Sequence, residues 1–244
     1  MEDIKEIKII YEDESLLVVD KPAGILVHET QAKEKNTLAN WLVNKYPEIK
    51  NLNWPDATRQ GIVHRIDKDT SGLIILAKHP EILEKLQQQF KQRKVQKTYT
   101  ALVLGKVEPA EGKIEAAIIR GKAGVQQVRE FNFSVGNEKL RPAITFYETT
   151  NQYKFNDNDL TLVLAMPRTG RMHQIRTHLK HIGHPIIGDQ LYNNKQSKRI
   201  SKEFGLSRQF LHATKLEFSH PTSGKLLIFR SDLPKDLKNI MVKL

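Results

Sequence analysis

The stretch His64-Arg65-Ile66-Asp67-Lys68-Asp69-Thr70-Ser71-Gly72 runs directly into Leu73-Ile74-Ile75-Leu76-Ala77, so a dense set of charged and turn-forming residues abuts an aliphatic run of strand length. The charged segment also follows an apolar pair, Ile62-Val63, and a tight loop between two buried strands is expected. If the first strand continues into the loop, side-chain alternation puts Arg65 and Asp67 on one face. Thr70-Ser71-Gly72 then supplies hydroxyls for backbone amides and a glycine for close backbone approach. Spacing alone does not separate a working carboxylate here from an ordinary turn in which Asp67 and Asp69 only hold the backbone.

Outward from this segment, apolar runs of strand length recur at Leu16 to Val19, Tyr99 to Leu104, Leu160 to Met166 and Leu226 to Phe229. Helical spacing is confined to Thr37 to Tyr46, Glu81 to Arg93 and Arg171 to Ile182, with Gly183 as the C-terminal cap of the last. Strands that follow one another without regular intervening helices predict an α+β fold with a mixed or antiparallel sheet, not a doubly wound parallel one. Neither repeats nor low-complexity linkers interrupt the chain, so one continuous domain over residues 1–244 is expected. The polar stretches Asn151 to Asp159 and Asn193 to Lys202 are expected to be exposed loops.

Composition narrows the chemistry. The 244 residues include no cysteine, which excludes disulfides and thiolate catalysis and fits a reducing, cytoplasmic setting. The charged N-terminus and the short aliphatic runs offer no membrane span. Lysine and arginine total 39 against 28 acidic residues, a formal charge of +11 that favours polyanions and predicts binding that weakens with salt.

A second cluster lies at Thr169-Gly170-Arg171-Met172-His173-Gln174-Ile175-Arg176-Thr177-His178. Ile175, Leu179 and Ile182 form a buried stripe at helical spacing, and His173, Arg176 and Lys180 fall on another side as a basic face. The turn before the helix is expected to leave backbone amides available to phosphate. Taken alone, the same face reads equally as solvated charge. His173, His178, His181 and His184 lie close in sequence, but His173 and His178 are not at the i, i+4 spacing that zinc binding from one helix requires. Asp67-Lys68-Asp69 also matches a loose cation-binding pattern that is common in loops by chance.

Taken in order, these segments resemble the RluA family of pseudouridine synthases over nearly the whole chain. Asp20-Lys21-Pro22-Ala23-Gly24 with Val27-His28 is similar to the family's first motif, and His64 to Leu73 to its catalytic loop. Lys97-Thr98-Tyr99 resembles the motif that bears the active-site tyrosine. Gly170 to Arg176, His184-Pro185-Ile186-Ile187-Gly188-Asp189, Leu211-His212-Ala213 and Phe218-Ser219-His220-Pro221 complete the series. Ile66 and Met172 depart mildly from the family, which commonly has Leu and Thr there. The first motif begins close to the N-terminus, so a catalytic domain without the S4 RNA-binding domain of many members is expected.

The resemblance implies an α+β fold, a mixed, largely antiparallel central sheet flanked by helices and loops, and an enzyme, expected as a monomer, that acts on ribosomal or transfer RNA. It implies isomerisation of uridine to pseudouridine without cofactor or metal. The N1 to C1′ bond breaks and the base rejoins through C5, a task for which a carboxylate suits the charge that develops at the anomeric carbon. By resemblance that carboxylate is Asp67, Arg176 pairs with it, and Tyr99 offers a stacking face and a phenol for proton transfer. Arg65 is expected to fill the gap left by a flipped-out uridine. Lys21, Lys68, Arg171 and Lys180, with His64 and His173, are expected to contact the RNA, mainly at phosphates. Two rivals stand beside this reading: a noncatalytic RNA-binding protein, and a metal-dependent sugar transferase built on Asp67 and Asp69.

Overall fold

Leu16 to Val19 and Leu73 to Ala77 become neighbouring strands because runs of this kind are stable only where both faces of a sheet are covered. The computed structural model describes residues 7–30, 32, 34–121, 125–129 and 141–244. Backbone contacts divide the chain, expected as one domain, into two units: Met1–Gln96 with Ala213–Asp232, and Lys97–His212 with Leu233–Leu244.

In the first unit, β1 (Lys8–Glu12), β2 (Leu16–Lys21) and β3 (Ser71–Ala77) form an antiparallel ladder in that order. Every residue of β3 is buried. Helix α1 (Leu38–Lys45) begins at Thr37, whose hydroxyl accepts from Asn40 N, and it buries Leu38, Ala39 and Leu42. After a 3₁₀ turn at Pro47–Asn51, helix α2 (Pro80–Lys91) buries Ile82, Leu83 and Leu86. The spacing predicts both helices to within two residues at each end.

The second unit is built on β4 (Gln96–Leu104), β5 (Glu111–Arg120), β6 (Gln126–Arg129), β7 (Arg141–Phe155) and β8 (Asn158–Pro167). Their order is β4-β8-β7-β5-β6, with each adjacent pair antiparallel. Helices α3 (Gln174–His181) and α4 (Lys195–Phe204) follow. Strand β9 (Leu211–Ser219) leads back into the first unit, where it pairs with β10 (Leu226–Arg230), and α5 (Lys235–Met241) closes the chain. The architecture is α+β, with antiparallel sheet in each unit.

Two expected loops are regular elements instead. Asn151 to Asp159 is the end of β7, a turn and the start of β8; Asn156 and Asp157, with φ of 43° and 58°, make the tight left-handed turn that joins twisted antiparallel strands. Asn193 to Lys202 is mostly α4, started by a reciprocal Asn194–Ser197 capping box and ended at Gly205 with φ of 68°. Its buried face uses Ser197 and Ser201 beside Ile200 and Phe204, so apolar counting alone does not find it.

Candidate active site

The loop that carries Asp67 is pinned from beneath. Val63 to Asp67 belongs to no ladder, apart from the isolated Ile62–Leu76 bridge just before it, which corrects the expectation of a continuing strand. Alternation survives without one: Arg65 is exposed, Ile66 buried and Asp67 half-buried. Thr70 N donates to Asp67 O at 3.1 Å and closes the turn. The carbonyl of Lys68, next to Asp67, accepts from Gly24 N and from Lys21 Nζ, each at 2.9 Å. Lys21 Nζ also donates to Pro22 O at 2.7 Å and Ile25 O at 2.9 Å.

Lys21 is thus corrected from phosphate contact to internal clamp. It is 0% exposed, and its three donors meet three carbonyls, the only way an ammonium is tolerated at that depth. Gly72 ends the loop at φ 119°, and a Cβ there would lie 2.5 Å from Ala213 N and O, so both conformation and space demand glycine.

His64, expected at the RNA, is turned toward the scaffold. Ile75 N donates to its Nε2 at 3.0 Å, and its ring stacks on Phe90 with centroids 4.6 Å apart. Accepting through Nε2 requires the neutral ring with its proton on Nδ1. Lys68 and Asp69 are exposed on the turn.

In the second unit, Tyr99 sits on β4 opposite Ala165 of β8 and is 7% exposed. Arg176 lies in α3 and is buried, against the expectation of a basic outer face. Gln174 through Leu179 are all buried, so α3 is enclosed on nearly every side, and only Lys180 and His181 at its end are exposed. What makes burial of Arg176 tolerable is Asp189. Arg176 Nε donates to Asp189 Oδ2 at 2.7 Å and Nη2 to Oδ1 at 2.9 Å, a bidentate fork. Leu191 N and Tyr192 N also donate to Asp189 Oδ1, each at 2.9 Å. Burial pushes the Asp189 carboxyl up, but the Arg176 bonds and charge, with the two amides, outweigh it and hold the group below the usual range. A guanidinium carries five N–H donors, so the fork does not exhaust Arg176. Its guanidinium also lies 5.0 Å from the Tyr192 ring centre.

The turn before α3 also differs from expectation. The Arg171 amide is taken by Gln174 Oε1 at 3.0 Å, which also accepts from Thr169 Oγ1 at 2.7 Å. Gln174 Nε2 donates to Ile144 O and Thr145 Oγ1, each at 2.9 Å, so a buried side-chain amide replaces the phosphate that the free turn was expected to bind. His173 is half-buried at φ 55°, with Nδ1 2.8 Å from Tyr192 Oη. The side chain of Arg171 is exposed, with Nε 3.3 Å from Pro142 O. Among the described residues no group of three or more His, Asp or Glu is placed to hold a metal ion.

Asp189 is the site residue that sequence reasoning missed. It stands at the end of the His184-Pro185-Ile186-Ile187-Gly188-Asp189 motif, where nothing in the local sequence shows the arginine it pairs with. A buried-arginine requirement at Arg176 would have pointed to it.

A carboxylate stands on a clamped loop in a chain of antiparallel α+β units whose excess of cationic side chains favours polyanions. Comparison with known proteins gives the family. Residues 15–181 match the family model described as RNA pseudouridylate synthase. The chain is 38% identical over 237 residues to ribosomal large subunit pseudouridine synthase D of Nitrosomonas europaea, covering 96% of this chain and 64% of that one. Against the protein of the same name from Pseudomonas aeruginosa it is 38% identical over 240 residues, covering 95% and 69%. The fold matches human RNA pseudouridylate synthase domain containing 1 with a TM-score of 0.73 at 24% identity, covering 96% of this chain and 86% of that one. The chain belongs to the RNA pseudouridylate synthase family. No helix among the described residues is long and apolar enough to cross a membrane.

Proposed function

We propose that residues 1–244 act as one catalytic domain, monomeric and cytoplasmic, that isomerises specific uridines of structured RNA to pseudouridine, with Asp67 as nucleophile. The observation that carries the reading is the clamp on the Asp67 loop: Lys21 Nζ and Gly24 N converge on the Lys68 carbonyl within the span that matches the family. A preorganised carboxylate is what the reaction needs, because the loop pays no reorganisation as charge develops at C1′. The C1′–N1 bond breaks, C1′–C5 forms, C5 gives up its proton and N1 gains one, so no cofactor or co-reactant is consumed.

Tyr99 takes the role of stacking face and proton-transfer phenol. Arg176, held in orientation by Asp189, takes the role of cation toward Asp67. Arg65, Lys68, Arg171 and Lys180 take the role of RNA contacts, a reading their exposure supports, whereas buried Lys21 belongs to the scaffold. Relatives named for the ribosomal large subunit make its RNA the first substrate to test, with transfer RNA the second. The deciding experiment maps pseudouridines in total RNA from cells with and without the gene. A site must disappear in the deletion, return with the wild-type chain and stay absent with Asp67→Ala. If none disappears, the proposal fails.

A further inference from the structure

The Asp67 chemistry leaves unused a cavity of about 290 Å³ inside the first unit, close to the lower bound of small-molecule sites, about 300 Å³. Buried Ile62, Val63 and Leu83 form its apolar walls, and Arg59, Arg65 and Asp56 bring charge to it.

That charge is unbalanced. Asp56 is committed to its own turn: Oδ1 accepts from Thr58 N at 2.9 Å and from Thr58 Oγ1 at 2.6 Å, and these bonds, more than Arg59, hold the carboxyl below its usual range. Arg59 meets it at one point, Nε to Oδ2 at 3.5 Å, with both side chains about half exposed, and a loose pair of that kind neutralises little. Arg65 is exposed, and its guanidinium has no hydrogen-bond or ion-pair partner among the described residues. The histidines of the lining add no charge. His64 is neutral because its Nε2 accepts a backbone amide, and His28 is held below its usual range by burial and by the two guanidinium groups, each acting on it more strongly than Asp56 does. Two guanidinium groups against one carboxylate leave a single positive charge, the complement of one phosphodiester.

Guanidinium suits that partner, since its flat fork meets two phosphate oxygens at once and it is more weakly hydrated than an ammonium. The apolar walls suit the ribose that a backbone phosphate brings with it, which a free anion would leave uncovered. Arg65 is two residues from Asp67, so a strand presenting its uridine there runs past the cavity. Positive charge continues beyond it, because exposed Lys91 follows the lining residue Gln87 by one turn of α2.

We propose that Arg59 and Arg65 clamp one phosphodiester of the substrate RNA in this cavity, a linkage flanking the target uridine, and so set the register in which a uridine reaches Asp67. Arg65 is then a phosphate ligand, and filling the gap left by a flipped uridine is not its task. The inference rests on the pseudouridine synthase reading.

The test pairs enzyme variants with charge-neutral linkages. RNA oligonucleotides spanning the mapped uridine, unmodified or with one methylphosphonate at each flanking linkage in turn, are titrated with wild type, Arg59→Gln and Arg65→Gln. One methylphosphonate should weaken wild-type binding about tenfold, the loss of one charge-assisted contact. Both variants should bind unmodified RNA about tenfold more weakly, with a salt slope reduced by about one, and be indifferent within about twofold to that same linkage. Arg59→Lys keeps the charge and should keep the salt slope. Equal sensitivity in all three proteins, no sensitive linkage in wild type, or arginines that report different linkages overturns the inference while leaving the synthase reading intact. So does inorganic phosphate that shifts the Arg59 and Arg65 side-chain resonances while no linkage matters, which would make the cavity a free-anion site. No pseudouridine from wild type on unmodified RNA overturns both.

Discussion

Lys21 Nζ donates to the Lys68 carbonyl 2.9 Å away, so a lysine on the last position of β2 holds the Lys68–Asp69 peptide, one residue beyond Asp67. Because the ammonium is enclosed, the bond acts on loop geometry and not on RNA.

Lys21→Met keeps the side-chain length and removes the three donors, leaving the carbonyls of Pro22, Ile25 and Lys68 short of a partner. Urea unfolding should show a loss of about 2–4 kcal/mol, since buried acceptors lose their partner together. Turnover should fall while RNA affinity and its salt slope stay close to wild type. A salt slope reduced by about one would instead mean a lost phosphate contact and return Lys21 to the RNA surface.

Asp67 is half-buried, and the Lys21 clamp holds its neighbourhood through the backbone carbonyls of Pro22, Ile25 and Lys68. Asp67→Ala should therefore lower single-turnover pseudouridine formation by at least about 10³-fold. Its RNA affinity should stay within about threefold of wild type. Activity that persists in the variant would remove Asp67 from the chemistry.

Removal of Asp189 strands a buried guanidinium. Asp189→Ala should cost about 3–5 kcal/mol, more than a surface pair could, and Arg176→Lys should recover little because an ammonium cannot form the fork. The pH sign follows from the lowered carboxyl. Its stabilisation is full above the unfolded-state value of 3.8 and is lost as pH falls through the lower folded value, so acid unfolding of the wild type should contain a component absent from Asp189→Asn.

His178 governs a milder window. It is 0% exposed, with Nδ1 3.0 Å from Thr145 Oγ1, and burial lowers its imidazole to about 4. The unfolded chain titrates this group near 6.5, so between 6.5 and 4 it binds the proton first. Stability is therefore fully present above 6.5 and declines toward pH 4, by up to about 3 kcal/mol. Guanidinium midpoints measured at pH 7 and 5 should converge in His178→Gln; an unchanged pH dependence would place the titration elsewhere.

Much of the fold was legible because burial leaves a mark on composition. Leu16 to Val19 and Leu73 to Ala77 are uninterrupted since their sheet is covered, and α1 and α2 show their faces at helical spacing. The β7–β8 hairpin was hidden because its polar end, Asn151 to Asp159, is held by a ladder and a left-handed turn and not by apolar burial. Helix α4 was hidden because serines fill half of its inner face.

What the sequence by itself determined is the set of residues available for chemistry: Asp67 in a turn-rich loop ahead of a buried strand, Tyr99 on an apolar strand, Arg176 beside histidines, no thiols, and an excess of cations. What only the tertiary structure decided is which of those cations face water. Lys21 and Arg176 have the same formal charge as Lys68 and Lys180, and sequence counts them alike. Lys21 is satisfied by the nearby carbonyls of Pro22 and Ile25 together with that of Lys68, 47 residues on, and Arg176 by Asp189, 13 residues on; burial of a charge is settled by whether such groups converge on it in the fold. Asp67 accordingly stands on a loop whose position is set by a lysine that the chain's charge pattern assigns to the surface.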